Sequence, residues 1–169
     1  MEKNEVTPIV SIVAGSESDL GLVNKCGEVL TSLSIDYSVN VFSAHRTPDL
    51  LKDHIDNAEA SGIKIYIAFA GLAAHLAGAI ASKTTKPVIG VPADGGPMNG
   101  IDALLSTVQM PKGVPVATVA IGSAGAANAG YLAAQILSLE SEEISKALNS
   151  QRDKNKQAVI EINNKLSKK

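Results

Sequence analysis

Five short runs rich in β-branched residues, separated by segments of helical period, constrain most strongly what this chain of 169 residues can fold into. The runs cover residues 9–13, 37–42, 64–69, 88–91 and 114–121. Short apolar strands that alternate with helices are typical of a parallel sheet wrapped by helices. Because the sequence has no internal repeat and no linker, it predicts a single α/β domain over residues 1–169, with a core at about 9–139 and a helical extension at about 140–169.

The segments between the runs predict helices over residues 19–33, 48–61, 73–84, 101–108 and 124–139. The second helix has clear boundaries, because Thr47 can cap it, Pro48 suits its first position and Gly62 can end it in a left-handed conformation. His54 falls on the apolar stripe of this helix, so we expect it to serve helix packing.

Alanine and glycine dominate the helices predicted at residues 73–84 and 124–139, and aromatic residues make up only 3% of the sequence. Small residues let backbones approach closely, which favours tight packing against the sheet or against a second copy of the chain. The sparse apolar stripe after residue 140 predicts an outer helix that lies on the body or on a neighbour and frays at Lys168 and Lys169.

Charge and composition narrow the partner to a small molecule. The formal net charge of −2 and a pI near 5.9 argue against a nucleic-acid groove or an anionic membrane as partner. No run approaches the ~20 apolar residues of a membrane span, and residues 1–8 lack the apolar stretch of a signal peptide. Cys26 is the sole cysteine, which predicts a plain buried thiol in a protein of the reducing cytoplasm.

The sequence also argues against a metal ion and the common nucleotide cofactors. Its three histidines lack ligand spacing, and it has neither an HExxH motif nor clustered carboxylates. It contains no GxxxxGK[ST] loop and no GxGxxG turn, so ATP hydrolysis and dinucleotide chemistry lack their usual phosphate cradle. We therefore expect no metal ion, and the motifs give no support for ATP or a dinucleotide.

His45 and Arg46 lie side by side directly after the second predicted strand. Arg46 can grip an anion and His45 can move a proton near neutral pH, and strand ends are where α/β enzymes build their sites. The alternative interpretation is a histidine that satisfies a local hydrogen bond beside a solubilising surface arginine.

A serine turn with the sequence GSESD follows the first predicted strand and should face the same crevice. Gly15 permits a sharp turn, Ser16 and Ser18 beside the free N–H groups of a helix start can hold a phosphate, and Asp19 can accept bonds from ribose hydroxyls. A phosphoribosyl group would satisfy all of these groups. Alternatively, a serine only caps the helix and Asp19 complements its dipole.

Gly71 and His75 follow the third predicted strand. Gly71 permits backbone approach to a ligand, and the N–H groups of the next helix start point into the same crevice. His75 either contacts the ligand or bonds within its own helix. Further along, residues 92–100 and the turn at Met110 and Pro111 are candidates for a lid, with rigid surface turns as the alternative.

Six motifs make the chain similar to a known family: GSESD, SAHRTP, AGLAAHLAG, PVIGVP, LLSTVQMPKGVPVATVAIG and AGAANAGYLAAQIL. They occur in the order found in the N5-carboxyaminoimidazole ribonucleotide mutases of purine biosynthesis, over about residues 10–139. The resemblance implies a three-layer flavodoxin-like α/β fold with a central parallel five-stranded sheet and a C-terminal helical extension. It also implies a cytoplasmic homo-octamer without metal or organic cofactor, which moves the substrate carboxylate from nitrogen to C4 of the imidazole. The substrate is a small ribonucleotide, and the synthetase that makes it is a candidate for transient channelling.

The family's functional residues carry over to matching positions of this sequence. Phosphate-end contacts fall on Ser16, Ser18, Ser43 and Arg46, the ribose contact on Asp19, the proton carrier on His45, and the contacts with the imidazole and the migrating carboxylate on residues 71–76, including Gly71, His75 and Leu76.

The resemblance leaves departures and alternatives. Leu72 stands where the family usually has glycine, Ala77 where proline is common, and residues 94–99 are unlike the usual loop. A related branch carboxylates aminoimidazole ribonucleotide directly with CO2 and typically has lysine at the position of Arg46, so this chain follows the mutase branch. A non-catalytic nucleotide-binding module is the alternative of another class, although it gives no reason for His45 beside Arg46.

Overall fold

A five-stranded, all-parallel sheet forms the centre of the computed structural model, which describes residues 7–167. Its strands are β1 (Val10–Ala14), β2 (Tyr37–Val41), β3 (Ile65–Ala70), β4 (Val88–Pro92) and β5 (Ala117–Thr118). Their spatial order, β2-β1-β3-β4-β5, is the flavodoxin-like order. The predicted fold class is therefore confirmed. The expectations for residues 1–6 and for fraying at Lys168 and Lys169 lie outside the described residues.

Six α-helices connect and flank these strands within residues 7–167. They are α1 (Leu20–Ser32), preceded by a 3₁₀ turn (Glu17–Asp19), α2 (Pro48–Ala60), α3 (Leu76–Ala81), α4 (Ile101–Val108), α5 (Gly122–Leu137) and α6 (Glu142–Leu166). Helices α1 and α5 cover one face of the sheet, and α2 and α3 cover the other. The result is three layers, because β1, β3 and β4 are apolar on both faces and each face must be buried.

Close packing of small residues joins α1 to α5. A methyl group built at Gly130 would lie 3.1 Å from the Cys26 carbonyl oxygen, so the glycine lets the two helices approach. Cys26 itself is fully buried, as the sequence predicted, and burial raises the pKa of its thiol to about 12. The thiol is consequently protonated and unreactive at neutral pH.

On the opposite face of the sheet, His54 both packs against a neighbouring ring and forms a hydrogen bond. Its Nε2 atom lies 2.9 Å from the Ser11 hydroxyl of β1, and its ring packs on Phe42 with a centroid separation of 4.9 Å. Burial lowers the pKa of His54. The expectation that this residue serves helix packing is confirmed, and the hydrogen bond also supplies the partner that the buried Ser11 requires.

Three local predictions differ from the structure. Thr47 precedes α2, but its hydroxyl makes no bond to the helix and instead pairs with the backbone of Ser43. Helix α3 begins at Leu76 rather than at residue 73, because the preceding loop contains Leu72 with a positive φ of 55°. Strand β5 has only two residues, since this edge strand follows Pro115, which has no N–H to donate.

Helix α6 has two parts with different surroundings. Ile144 and Leu148 pack against the core, as expected for an outer helix. Further along, Val159, Ile162 and Leu166 are each more than half exposed. No helix within residues 7–167 combines the length and apolar character needed to span a bilayer.

The close approach at the start of α5 predicts that Gly125→Ala lowers stability. A methyl group there would overlap the Ala120 carbonyl oxygen, so the backbone must shift, at a cost of roughly 1–3 kcal/mol. Gly21→Ala in α1 is the matched control: no atom lies within 4 Å of its added methyl, and we expect a gain of up to about 1 kcal/mol. Urea unfolding at one protein concentration measures both, and equal midpoints would contradict the packing argument.

Candidate functional site

A cavity of about 640 Å³ opens at the carboxyl ends of the strands. Four loops line it, within residues 15–19, 43–46, 70–76 and 93–96. The chain passes from β1 to β2 on one side and then crosses to β3 on the other, so the cavity lies where the strand order reverses. This is where open parallel sheets bind ligands. The loops that the sequence predicted to share one crevice do meet there.

The serine turn presents hydroxyl groups to this cavity. The Ser16 and Ser18 hydroxyl oxygens are 2.6 Å apart, and the Asp19 carboxylate accepts hydrogen bonds from the Ser16 backbone N–H at 3.1 Å and its hydroxyl at 3.2 Å. These contacts fix the turn before α1 begins. Both serines and Asp19 line the cavity, and Ser16 and Asp19 also form a capping box at the 3₁₀ turn, so the capping interpretation of these residues holds beside their place in the cavity.

Asp19 is a buried carboxylate, with a relative exposure of 7%. Burial raises the pKa of Asp19 above its ordinary value, and the hydrogen bonds from Ser16 and Ser18 offset only part of that effect. A charge at such a buried position destabilises the folded chain unless hydrogen bonds from a ligand compensate for the lost hydration.

Arg46 connects the second loop to the serine turn. Its Nη2 atom donates to the Gly15 carbonyl oxygen at 3.1 Å, and its backbone N–H donates to the Ser43 hydroxyl at 3.1 Å. Because the guanidinium bonds a neutral carbonyl and forms no salt bridge within residues 7–167, its charge is left for an anion in the cavity.

His45 and His75 meet although 30 residues separate them. The His45 Nε2 atom lies 2.8 Å from the His75 Nδ1 atom, and the two rings pack edge to face at 4.9 Å. One of these nitrogens must carry the shared proton and the other must accept it, so the tautomers of the two rings are coupled. Both side chains are exposed to the cavity.

The remaining lining is largely apolar and comes from the loops after β3 and β4. Gly71, Leu72 and Leu76 form one part of it, and Gly95 and Gly96 form another. Helix α3 begins at Leu76, and the direction of the N–H groups at its start stays a prediction. Sequence reasoning placed Gly96 only in a lid loop. It included Leu72 in the contact segment 71–76 and noted its departure from the family, but no local signal predicted the positive φ of Leu72.

A second hollow, of about 710 Å³, runs along the surface of α6. Side chains of that one helix line it entirely, between Lys146 and Glu161. A single helix cannot enclose a ligand, so the hollow is open surface rather than a site.

Fold and cavity together define a parallel α/β protein with a small-ligand site, which one arginine, a serine turn and a pair of imidazoles line. The AIR carboxylase family model matches residues 9–158, and the chain belongs to this family. The match spans the whole sheet and all four lining loops.

Individual relatives agree with this assignment. The N5-carboxyaminoimidazole ribonucleotide mutase of Bacillus subtilis is 50% identical over 159 residues, covering 94% of this chain and 98% of the relative. That of Escherichia coli K12 is 48% identical over 152 residues, 90% of each. The crystal structure of Treponema denticola PurE superposes with a TM-score of 0.86 at 32% identity, covering 94% of this chain and 98% of that one.

The raised pKa of Asp19 predicts that Asp19→Asn stabilises the protein at neutral pH. A carboxyl group whose folded pKa is raised contributes stability below its ordinary value of 3.8, and this contribution is lost as the pH rises through the folded pKa. We therefore expect a higher Tm for the variant at pH 7 and no difference once the pH is below that ordinary value. Asp36→Asn, which removes an exposed charge, is the control; a lower Tm for Asp19→Asn at pH 7 would contradict the burial argument.

Proposed function

We propose that this protein is a purine-biosynthesis enzyme that converts N5-carboxyaminoimidazole ribonucleotide to 4-carboxy-5-aminoimidazole ribonucleotide. The observation that carries the proposal is the His45–His75 pair, joined at 2.8 Å in the same cavity as Arg46 and the hydroxyl groups of the serine turn. Relatives at about half identity over nearly the whole chain are named for this reaction.

The polar end of the cavity is proposed to hold the ribose phosphate. Ser16, Ser18, Ser43 and Arg46 bind the phosphate, since hydroxyl donors and a guanidinium match its oxygens. Asp19, already fixed by the serine turn, accepts hydrogen bonds from the ribose hydroxyls. The sugar phosphate thereby anchors the heterocycle toward the two histidines.

His45 is the proposed acid and base. Protonated His45 donates to the carbamate nitrogen as the N–C bond breaks, which gives CO2 and aminoimidazole ribonucleotide. The ring carbon C4 then attacks the CO2, and His45 takes up the C4 proton, so the cycle closes with no net proton change. The Nε2 of His45 contacts the Nδ1 of His75, and in this proposal the bound substrate replaces that contact so that the Nε2 atom is available for the transfer.

Gly71, His75 and Leu76 are proposed to contact the imidazole and the migrating carboxylate. Gly71 allows the backbone to come close, His75 donates to a carboxylate oxygen, and Leu76, buried at the start of α3, forms an apolar wall. Residues 92–100 and the turn at Met110 and Pro111 are the proposed lid. The proposal includes no metal or organic cofactor, because His45 supplies both proton transfers and the ring carbon C4 itself attacks the CO2.

An assay with freshly made N5-carboxyaminoimidazole ribonucleotide tests this function. We expect carbon-carboxylated product without added bicarbonate, at a rate well above the enzyme-free control. The family description, AIR carboxylase, supports a second candidate, direct carboxylation of aminoimidazole ribonucleotide with CO2. That activity requires bicarbonate and does not require the carbamate. Ribotide binding with neither product would instead indicate a non-catalytic nucleotide-binding module.

The same assay tests the role of His45 through His45→Asn. Asparagine keeps hydrogen-bonding capacity but cannot transfer a proton, so we expect turnover to fall by ~10² to 10⁴ while ribotide affinity changes little. Calorimetry with aminoimidazole ribonucleotide measures that affinity. Turnover close to that of the unchanged protein would remove His45 from the chemistry.

We also infer a homo-octamer in the cytoplasm. The exposed apolar stripe of Ile101, Leu105 and Val108 on α4, and the exposed apolar residues in the outer half of α6, support contact with further copies. The single buried thiol of Cys26 supports a reducing compartment. Transient delivery of the unstable carbamate by the synthetase that makes it is a further part of the proposal.

Light scattering tests the assembly. We expect a mass of eight times the chain mass of 17.4 kDa at micromolar concentration, and a smaller mass for Leu105→Asp, which places a charge in the α4 stripe. Asn24→Asp serves as the control, because Asn24 is an exposed residue of α1. Ser106→Asp, beside Leu105, is less suitable because it would also remove the hydrogen bond from the Ser106 hydroxyl to the Asp102 carbonyl oxygen. A monomer for the unchanged chain would contradict the inference.

A further inference from the structure

Leu72 adopts a backbone conformation that leucine normally avoids. Its φ is +55°, a region in which the Cβ of a bulky residue crowds the following carbonyl. Its side chain is also 54% exposed, although it lines the cavity. A strained and solvent-exposed leucine in the lining of a cavity is a backbone outlier that suggests a functional role.

The Leu72 side chain rests on the backbone of Gly96, across the gap between two loops. A methyl group built at Gly96 would overlap the Leu72 Cδ2 atom, so the absence of a side chain there makes room for the leucine. The adjacent Gly95 has open space around it. The contact therefore depends on Gly96 and not on a glycine-rich loop in general.

The two loops joined by this contact also touch at the level of the sheet. The Ala93 N–H donates to the Ala70 carbonyl oxygen at 2.9 Å, and a methyl group at Gly71 would lie 3.5 Å from the Ala93 Cβ. Ala93 is buried, whereas Leu72 is exposed. The loops are thus closed at the base, and the Leu72–Gly96 contact bridges them nearer the solvent.

We propose that Leu72, seated on Gly96, is a gate residue that keeps CO2 in the cavity between its release from nitrogen and its capture by C4. This inference rests on the proposed function. After the N–C bond breaks and the nitrogen takes the proton from His45, the CO2 must wait for the C4–C bond to form. An aliphatic side chain across the mouth excludes water and limits escape of a small apolar molecule. The other large aliphatic lining residue, Leu76, is buried in the wall and cannot close the mouth.

Isotope exchange tests the gate. Unlabelled N5-carboxyaminoimidazole ribonucleotide is supplied in buffer that contains ¹³C-bicarbonate and carbonic anhydrase. Mass spectrometry then measures the fraction of the early product that carries ¹³C, the labelled fraction. We expect Leu72→Ala to raise the labelled fraction by about fivefold or more, since escaped CO2 is replaced from solution. Leu72→Met, which restores a long apolar side chain, should return it toward the original value. Leu139→Ala, at a leucine that is 85% exposed and absent from the cavity lining, is the control.

The seat on Gly96 is tested by combining substitutions. Gly96→Ala displaces Leu72 and should raise the labelled fraction, whereas it should add nothing in the Leu72→Ala background, where no Cδ2 remains to displace. Its effect would be equal in both backgrounds if it acted only through strain at the Gly96 φ of +84°. Equal effects of Gly96→Ala on the labelled fraction in the two backgrounds would contradict the role of Gly96 in positioning Leu72.

The outcomes separate the gate from the proposed function. A labelled fraction in Leu72→Ala equal to that of the unchanged protein, with normal product formation, overturns the gate and leaves the mutase activity standing. Absence of carboxylated product from the unchanged protein overturns the proposed function itself. A change in mass by light scattering for Leu72→Ala, without a change in label, would assign Leu72 to a subunit contact and also overturn the gate.

Discussion

The parallel pairing of β1 between β2 and β3 is the constraint on which the rest of the structure depends. It directs the carboxyl ends of three neighbouring strands to one edge, and β4 extends that edge by pairing with β3. Two contacts then fix the loops against each other: His54 of α2 bonds Ser11 in β1, and Arg46 bonds the Gly15 carbonyl just beyond β1. Arg46 therefore holds the loop that carries His45 to the end of the strand that leads into the serine turn, and His54 holds the helix after that loop to the same strand.

The electrostatics of the cavity follow from the interaction partner that each polar or charged group lacks within the protein. Arg46 has a carbonyl partner rather than a carboxylate, so its charge remains available to a ligand anion. Asp19 has hydroxyl and amide partners but little water, so it is held charged only at a cost. His45 and His75 share one proton between facing nitrogens. In the proposed function, the phosphate, the ribose and the carboxylate-bearing ring of the substrate interact with these three groups.

The sequence predicts the layers well because β-branched strands and apolar helical stripes are local signals that the sheet then satisfies. It predicts the meeting of the serine turn with Arg46 for the same reason, since parallel topology alone brings strand ends together. It fails where side-chain partners decide: alanine content favoured a helix from residue 73, but the Leu72 backbone delays α3 to Leu76. Nor does any local pattern reveal that the hydroxyl of Thr47 turns to Ser43, or that His45 and His75 share a bond.

Two violations of local preference line the same cavity. Asp19 is a buried carboxylate, and Leu72 is a strained and exposed leucine. Other violations lie outside the cavity lining: Ser34 and Asn99 also have a positive φ, and the buried Asp102 Oδ1 atom has no hydrogen-bond partner within the described residues. Folding alone gives no reason to retain either violation, since one substitution at each position would relieve it. Both destabilising features suit the proposed function. Asp19 would be the fixed hydrogen-bond acceptor for the sugar phosphate substrate, and Leu72 would close the cavity around the small apolar intermediate.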